Sequence, residues 1–235
     1  MSNWKKALQS GKFLVSVEIV PPKGVRVDGF LETLGALSGK VDAVTLPDGR
    51  SARIHLNSLA ASLMAKEKGL ESVMTLSCRD RNRIALSADA LGAYAMGIEN
   101  ILCVSGDYFS FGDVEDAKPV FDLDSVQAIR MIKDLEKGED IGGNPLEENP
   151  DFCVGCVANP QANPFEPHLL KLEKKLRAGA EFIQTLDVYD LEKSKPFFDA
   201  VAGLDVIVLT GVRLVTEREN RLFESGKLPG NPISR

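Results

Sequence analysis

Two acidic residues stand where their chemistry is hardest to explain as decoration. Glu18 lies inside the apolar run Phe13–Ile19, directly between Val17 and Ile19. An unpaired carboxylate is costly to bury, so it would favour its protonated form there and could donate a proton near neutrality. The alternative is a structural pair with an arginine. Asp107 follows Ser105-Gly106, where glycine lets the backbone approach a ligand closely, although an acid after such a turn can equally serve as a cap. Arg79-Asp80-Arg81-Asn82-Arg83 follows another β-prone run; it reads either as a solvated charge cluster or as a contact for an anion. Lys171, Lys174 and Lys175 are ambiguous in the same way.

Other candidates carry less. Cys153-x-x-Cys156 has no second cysteine pair and falls in a strand pattern, so buried thiols and no metal site are expected. Gly35-x-x-x-Gly39-Lys40 is one residue short of a phosphate loop, and Val41 stands where Ser or Thr is needed. With His55 and His168 as the only histidines, a Ser-His or Cys-His machine is not supported.

Repeated βα units must position these residues. Between Gly69 and Asp107 the run Ser72–Ser77, a helical stripe of Ile84, Ala88, Leu91 and Ala95, and the run Asn100–Ser105 compose one such unit. Before it come strands at Phe13–Ile19 and Val41–Leu46 and helices over Phe30–Leu37 and Arg53–Lys68, the latter with Ile54, Leu59, Leu63 and Met64 inward. After it come a loop from Tyr108 to Leu123, a helix capped by Asp124, and a surface excursion over Gly138–Asp151. Strands at Phe152–Val157, Glu181–Leu186 and Asp205–Leu209 alternate with helices at Phe165–Arg177, Leu191–Val201 and Val215–Glu224. Gly69, Gly97, Gly179 and Gly203 each open a glycine-apolar-acid-x-apolar joint, the pattern of a helix ended by a left-handed glycine and turned into a buried strand. Such alternation builds a parallel sheet, and no glycine fingerprint follows the first strand, so a barrel is favoured over a dinucleotide fold. In a barrel the site lies at the C-terminal strand ends, where Glu18, Thr45, Asp48, Ser77, Arg79, Asp80, Ser105, Asp107, Asn159 and Asp187 would gather.

Composition narrows the partners. The 235 residues carry a net charge of -6, which argues against a nucleic-acid backbone or an anionic membrane as the main partner. No run has the length of a membrane span, and the opening MSNWKKALQSGK lacks the apolar core of a signal peptide. Four cysteines, mostly in strand-like runs, suit reduced thiols, so a cytoplasmic location is expected.

Several of these segments together resemble the methylenetetrahydrofolate reductase family. They are Val17-Glu18-Ile19-Val20-Pro21-Pro22, Val44-Thr45, the stretch Thr75–Arg83, Leu91–Ile98, Ser105-Gly106-Asp107 and Glu173–Ile183. The resemblance runs from Phe13 to about Gly230. It implies a single flavin-binding domain over residues 1–235, an α/β (βα)8 TIM-type barrel that reduces 5,10-methylenetetrahydrofolate to 5-methyltetrahydrofolate in one-carbon metabolism and methionine biosynthesis. The implied cofactor is FAD, or FMN, with NADH or NADPH as electron donor.

Carried over residue by residue, the resemblance makes Glu18 the general acid that protonates the folate amine. Asp107 matches the aspartate beside flavin and pterin. Thr45, Thr75, Ser105, Gly106 and Asn159 fall on flavin-lining positions, Lys175 on a basic position that contacts the flavin phosphates, and Phe121 on an aromatic over the adenosine. Three departures stand out. Thr75-Leu76-Ser77-Cys78 replaces His-Leu-Thr-Cys, altering one flavin contact. Leu186 replaces a glutamine that hydrogen-bonds the pterin. The last βα unit is expected to be absent, because the chain stops just after Leu228-Pro229-Gly230; a homo-oligomer or a partner subunit covering the gap is then expected. A non-catalytic folate- or flavin-binding subunit of a larger complex is the alternative function, and a flavin-independent reductase a third.

Overall fold

The computed structural model describes residues 1–227. Seven strands, β1 (Ser16–Glu18), β2 (Ala43–Leu46), β3 (Ser72–Ser77), β4 (Asn100–Val104), β5 (Cys153–Ala158), β6 (Phe182–Asp187) and β7 (Ile207–Gly211), pair in that order, every pair parallel. Between them run α2 (Asp28–Leu37), α3 (Ser58–Glu67), α4 (Arg83–Ala95), α5 (Ser125–Leu135), α6 (Phe165–Ala178) and α7 (Leu191–Val201), with α8 (Glu217–Glu224) after β7. The sheet curls as a TIM-type barrel lacking a unit, and among the described residues β1 and β7 do not pair with each other. The segment Leu228-Pro229-Gly230 lies outside the described residues.

Alternation along the strands divides the interior in two. Ala43, Val73, Leu102, Cys153 and Phe182 point to the concave inner face. Val44 and Leu46 pack under α2 and α3, while Met74, Leu76, Ile101, Cys103, Val154, Cys156 and Ile183 pack under the other helices. A short helix that sequence patterning did not single out, α1 (Asn3–Leu8), closes one end of the inner face. Its Trp4 is wholly buried and meets Phe182 edge to face, ring centroids 6.0 Å apart. Gly155 sits against that phenyl ring, where no side chain would fit.

Two helices differ from the sequence expectation. In α4 the residues turned to the sheet are Leu86, Ala90 and Ala93, whereas Ile84 is 74 % exposed. The small alanines let the helix sit close to the sheet; of the expected stripe Leu91 packs against the core, while Ile84, Ala88 and Ala95 face outward. Helix α3 begins at Ser58, after Asn57 accepts the Ala60 N–H as its cap, so Ile54 is exposed in the preceding loop, whereas Leu59, Leu63 and Met64 pack inward as expected and Ala61 and Ala65 are buried beside them. Gly69, Gly97 and Gly179 take the left-handed conformation expected at the helix-to-strand joints; Gly203 does not. Asp124 caps α5 in a full capping box with Gln127.

Candidate functional site

The C-terminal strand ends gather a polar mouth. Glu18, last residue of β1, is not sequestered among apolar neighbours as its flanks suggested. Its side chain is 35 % exposed, and its carboxylate accepts from Arg50 Nη1 at 2.8 Å. The reason is register: Glu18 lies opposite Thr45, whose side chain faces inward, so the carboxylate emerges at the open end of the inner face.

Arg50 is held out by an unusual loop. Gly49, Ser51 and Ala52 all have positive φ, and for the latter two that conformation is strained. Three contacts pin this loop. Arg79 donates from Nη1 and Nη2 to Gly49 O, both at 3.2 Å, the Ser51 N–H donates to Asp107 Oδ2 at 2.9 Å, and Gly112 packs against the Ala52 carbonyl. One loop thus links Glu18 through Arg50 and Asp107 through Ser51. Nothing in the sequence pattern singled out Arg50; its signal is its position directly after Pro47-Asp48-Gly49 at a strand end.

The arginine cluster turns inward on carboxylates. Arg79, only 3 % exposed, grips Asp80 with Nε and Nη2 at 2.8 and 2.6 Å, and its guanidinium carbon lies 5.3 Å from the Phe109 ring centre. Arg81 Nη1 donates to Asp48 Oδ2 at 2.6 Å and Arg81 Nε lies 2.7 Å from Asp89 Oδ2; Asp48 Oδ2 also accepts the Ser77 N–H at 3.1 Å. Arg83 bonds Asp122, holding that carboxyl down at about 2, chiefly through the side-chain hydrogen bond. These arginines brace the loops after β2, β3 and β4; each of their charges already has a carboxylate.

Gly106, with φ 93°, is tightly confined, because a Cβ there would lie 2.5 Å from Ser77 Oγ and 2.7 Å from Arg79 Cβ. Ser105 donates to Ser125 Oγ at 3.2 Å, at the first turn of α5. Thr45 and Thr75 are buried, and Thr75 shares the inward parity of Val73. Phe121 is also left-handed, with its ring 6.5 Å from that of Tyr108 in the loop over the mouth, and the Val120 N–H donates to Arg79 O at 2.8 Å. Asn159 Oδ1 accepts the Gln161 N–H at 3.0 Å.

Lys175, on α6, is a half-buried cation. Its Nζ donates to the Val157 carbonyl at 2.6 Å, and burial pulls its pKa below the ordinary lysine value. Among the described residues no acid pairs with it in an ion pair, and it borders a small cavity with Asn159, Phe165, His168, Lys171 and Phe197. An ammonium with no direct carboxylate contact, beside a second lysine whose nearest acid is Asp124 at 4.0 Å, is an arrangement that an anionic group such as a phosphate would complete.

Inside the mouth, β6 turns Phe182 and Gln184 inward, and a register shift against β7 between Gln184 and Asp187 interrupts the alternation before Leu186. Leu186 is 37 % exposed at the rim. Gln184, one layer deeper, accepts from Thr45 Oγ1 at 3.3 Å, and Thr45 lies 3.3 Å from Ser16 Oγ. Gln184 was not anticipated as a site residue; it has the parity of Phe182, and counting by twos from there would have found it.

The cysteines take no part. Burial pushes the thiols of Cys78 and Cys153 up to about 12 and that of Cys156 to about 11. Cys153 faces the inner cluster and Cys156 the outer one. Among the described residues no set of histidine, cysteine, aspartate or glutamate is grouped to hold a metal ion, and no helix is long and apolar enough to cross a membrane.

A parallel βα barrel whose strand ends carry paired acids and a tight glycine turn, with a half-buried lysine on the flanking helix α6, is the framework of a small-molecule site at the barrel mouth. The chain belongs to the methylenetetrahydrofolate reductase family, whose model matches residues 3–224. It is 25 % identical over 220 residues to 5,10-methylenetetrahydrofolate reductase of Pectobacterium carotovorum, covering 89 % of this chain and 67 % of that one. It is 30 % identical over 224 residues to methylenetetrahydrofolate reductase 2 of Saccharomyces cerevisiae, covering 88 % of this chain but 35 % of the relative. Among solved structures, a Clostridium thermocellum protein that binds two copies of 5-methyl-5,6,7,8-tetrahydrofolic acid superposes with a TM-score of 0.65 at 13 % identity, covering 98 % of this chain and 76 % of that one. A 2,3-dimethylmalate lyase superposes with a TM-score of 0.61 at 14 % identity, covering 99 % and 78 %. At such identities the two structures speak for the fold alone.

Proposed function

We propose that this chain carries the flavin-dependent reduction of 5,10-methylenetetrahydrofolate to 5-methyltetrahydrofolate, as a cytoplasmic enzyme of one-carbon metabolism. The observation that supports it best is that Glu18 and Asp107 are tied to adjacent residues of one loop, at the mouth of a barrel of this family. Lys175, with Lys171 and Asn159 beside it, would hold the phosphates of FAD or FMN, and Thr45, Thr75, Ser105, Gly106 and Asp107 would line the ring. Phe121 would cover the adenosine. When bound, the flavin supplies hydride transfer between a reduced nicotinamide and the folate.

The chain's own residues do the rest. Glu18 gives a proton to the folate amine, so that the methylene bridge opens to an iminium; Arg50 must then yield its hold on the carboxylate. Asp107 places a negative charge beside that cation. The alternative, a folate- or flavin-binding subunit without catalysis, draws on Leu186, which puts an alkyl group where an amide would serve the pterin. The test is direct. Purified protein should be yellow, bleach with NADH or NADPH, and recover its colour with the folate substrate. A colourless protein that cannot take up flavin overturns the enzyme reading, and one that bleaches without responding to folate favours the subunit.

A further inference from the structure

Arg79 has no donor left for a ligand. It is buried, and all of its guanidinium N–H groups are engaged within the fold. On one edge Nε and Nη2 grip Asp80 at 2.8 and 2.6 Å. On the other, Nη1 and Nη2 converge on Gly49 O at 3.2 Å each, and Nη1 also reaches Asp107 O at 3.4 Å. The Phe109 ring lies against the guanidinium. The two carbonyls belong to the ends of different strands, β2 and β4. Gly49 precedes Arg50, which holds Glu18, and Asp107 takes the Ser51 N–H on its own carboxylate. The main chain of Arg79 adds a further tie, because its carbonyl accepts the Val120 N–H beside Phe121.

From this geometry we infer that Arg79 is a positioning residue of the reaction: by holding the carbonyls of Gly49 and Asp107 together, it sets the spacing between the Glu18–Arg50 pair and Asp107. This rests on the folate reading above, in which both acids must serve one ligand, Glu18 its amine and Asp107 the cation that results. The loop between them cannot hold that spacing alone. Ser51 and Ala52 each have a φ of 54°, a conformation that persists only when the surroundings impose it. Arg79 imposes it from within the fold. Lysine would not serve, because an ammonium is a point charge that cannot span Asp80, Gly49 and Asp107 as a planar fork does. A misplacement of about 1 Å between reacting groups costs on the order of 10²-fold in rate. Hydride transfer from a nicotinamide to flavin needs neither acid, so the two half-reactions separate a positioning role from general support of the fold.

The experiment compares wild type with Arg79→Lys by amide hydrogen exchange and by stopped flow on the flavin-loaded protein. The Ser51 amide should exchange about tenfold or more faster in the variant, while the amides of Ile101 and Leu102 in β4 stay as slow as in wild type. Flavin reduction by NADH or NADPH should change by less than about twofold. Reoxidation at saturating 5,10-methylenetetrahydrofolate should fall about ten- to a hundredfold, with little change in the half-saturating concentration. Unchanged exchange at Ser51 overturns the assignment. Faster exchange at β4 as well, or equal slowing of both half-reactions, makes Arg79 a support of the fold alone and overturns it too. Phe109→Leu is the second variant, because it removes the ring from the guanidinium and leaves every hydrogen bond of Arg79 in place. It should move Ser51 exchange and reoxidation in the same directions by about two- to fivefold. No movement there overturns the assignment even where Arg79→Lys fails to fold. Wild-type protein whose reduced flavin ignores the folate removes the folate reading and the assignment with it.

Discussion

The Ser51 N–H donates to Asp107 Oδ2 at 2.9 Å, one residue beyond the arginine whose Nη1 reaches Glu18 at 2.8 Å. Two carboxylates from distant strands are therefore fixed by consecutive residues of a single strained loop. Displacing either contact is expected to be felt by the other, because the loop has few conformations open to it.

Glu18→Gln separates the two half-reactions. Reduction of flavin by a nicotinamide needs stacking and hydride transfer but no proton from β1, whereas opening the methylene bridge needs that proton. Flavin reduction should stay nearly intact and folate-dependent reoxidation should fall by ~10²–10⁴-fold. Stopped-flow traces of each half-reaction measure this; equal slowing of both would make Glu18 a structural residue of the flavin pocket.

Leu186→Gln should tighten folate binding. Restoring an amide at the exposed rim of β6 offers the pterin a partner worth about 1–3 kcal/mol where it was left unsatisfied. Titration of the two proteins with 5-methyltetrahydrofolate decides it, and an unchanged Kd would show the contact already supplied by another side chain.

Lys175 trades stability for charge. Burial depresses its pKa in the folded protein below the unfolded value of 10.5, so the unfolded chain binds the extra proton in that interval. The penalty is fully present below the folded pKa and is relieved as pH rises toward 10.5. Lys175→Met should therefore raise Tm at neutral pH, lose that alkaline gain, and weaken flavin binding about tenfold or more, which melting curves across pH and flavin titration report.

Asp48→Ala should be among the most destabilising single changes at the mouth. It strands the largely buried Arg81 and frees the Ser77 N–H at once. Breaking one side of a buried pair costs ~3 kcal/mol or more, readable as a lower urea midpoint with unchanged slope. A loss within the range of an exposed pair would mean that Asp89 alone satisfies the guanidinium.

Among the described residues the edges of β1 and β7 are unpaired, which predicts self-association. Ile207 and Val15 are exposed beside them, and an open parallel edge is a template for pairing. Light scattering should show mass rising with concentration; a strict monomer over a wide range would mean that the edges are covered some other way.

Much of this architecture was legible in the residues. The bounds of β3 and α7 follow directly from a bounded β-prone run and an amphipathic run closed by caps. Phase was harder. Ile84 and Leu86 are both apolar, and which of them meets the sheet depends on how near the helix can approach, which Ala90 and Ala93 decide. Helix α1 is six residues long, too short for periodicity to register. At the site, Glu18 and Asp107 could be placed at strand ends by pattern, but Arg50 could not be paired with Glu18 without the backbone turn at Ser51 and Ala52. Gln184 differs again, because its significance lies in a bond from β6 to β2, 139 positions apart, which no local pattern encodes.

Trp4 is the chain's only tryptophan, and it is sealed at the floor of the barrel against Phe182. The protein thus carries a single indole, selectively excited at the red edge of the aromatic band and shielded from water, at the foot of the strand that bears Gln184 and Leu186. Its emission should be blue-shifted in the native state and move red only when the floor opens. Flavin absorbance would report the mouth independently. Two optical signals at opposite ends of one strand allow loss of ligand and loss of fold to be followed in the same cuvette.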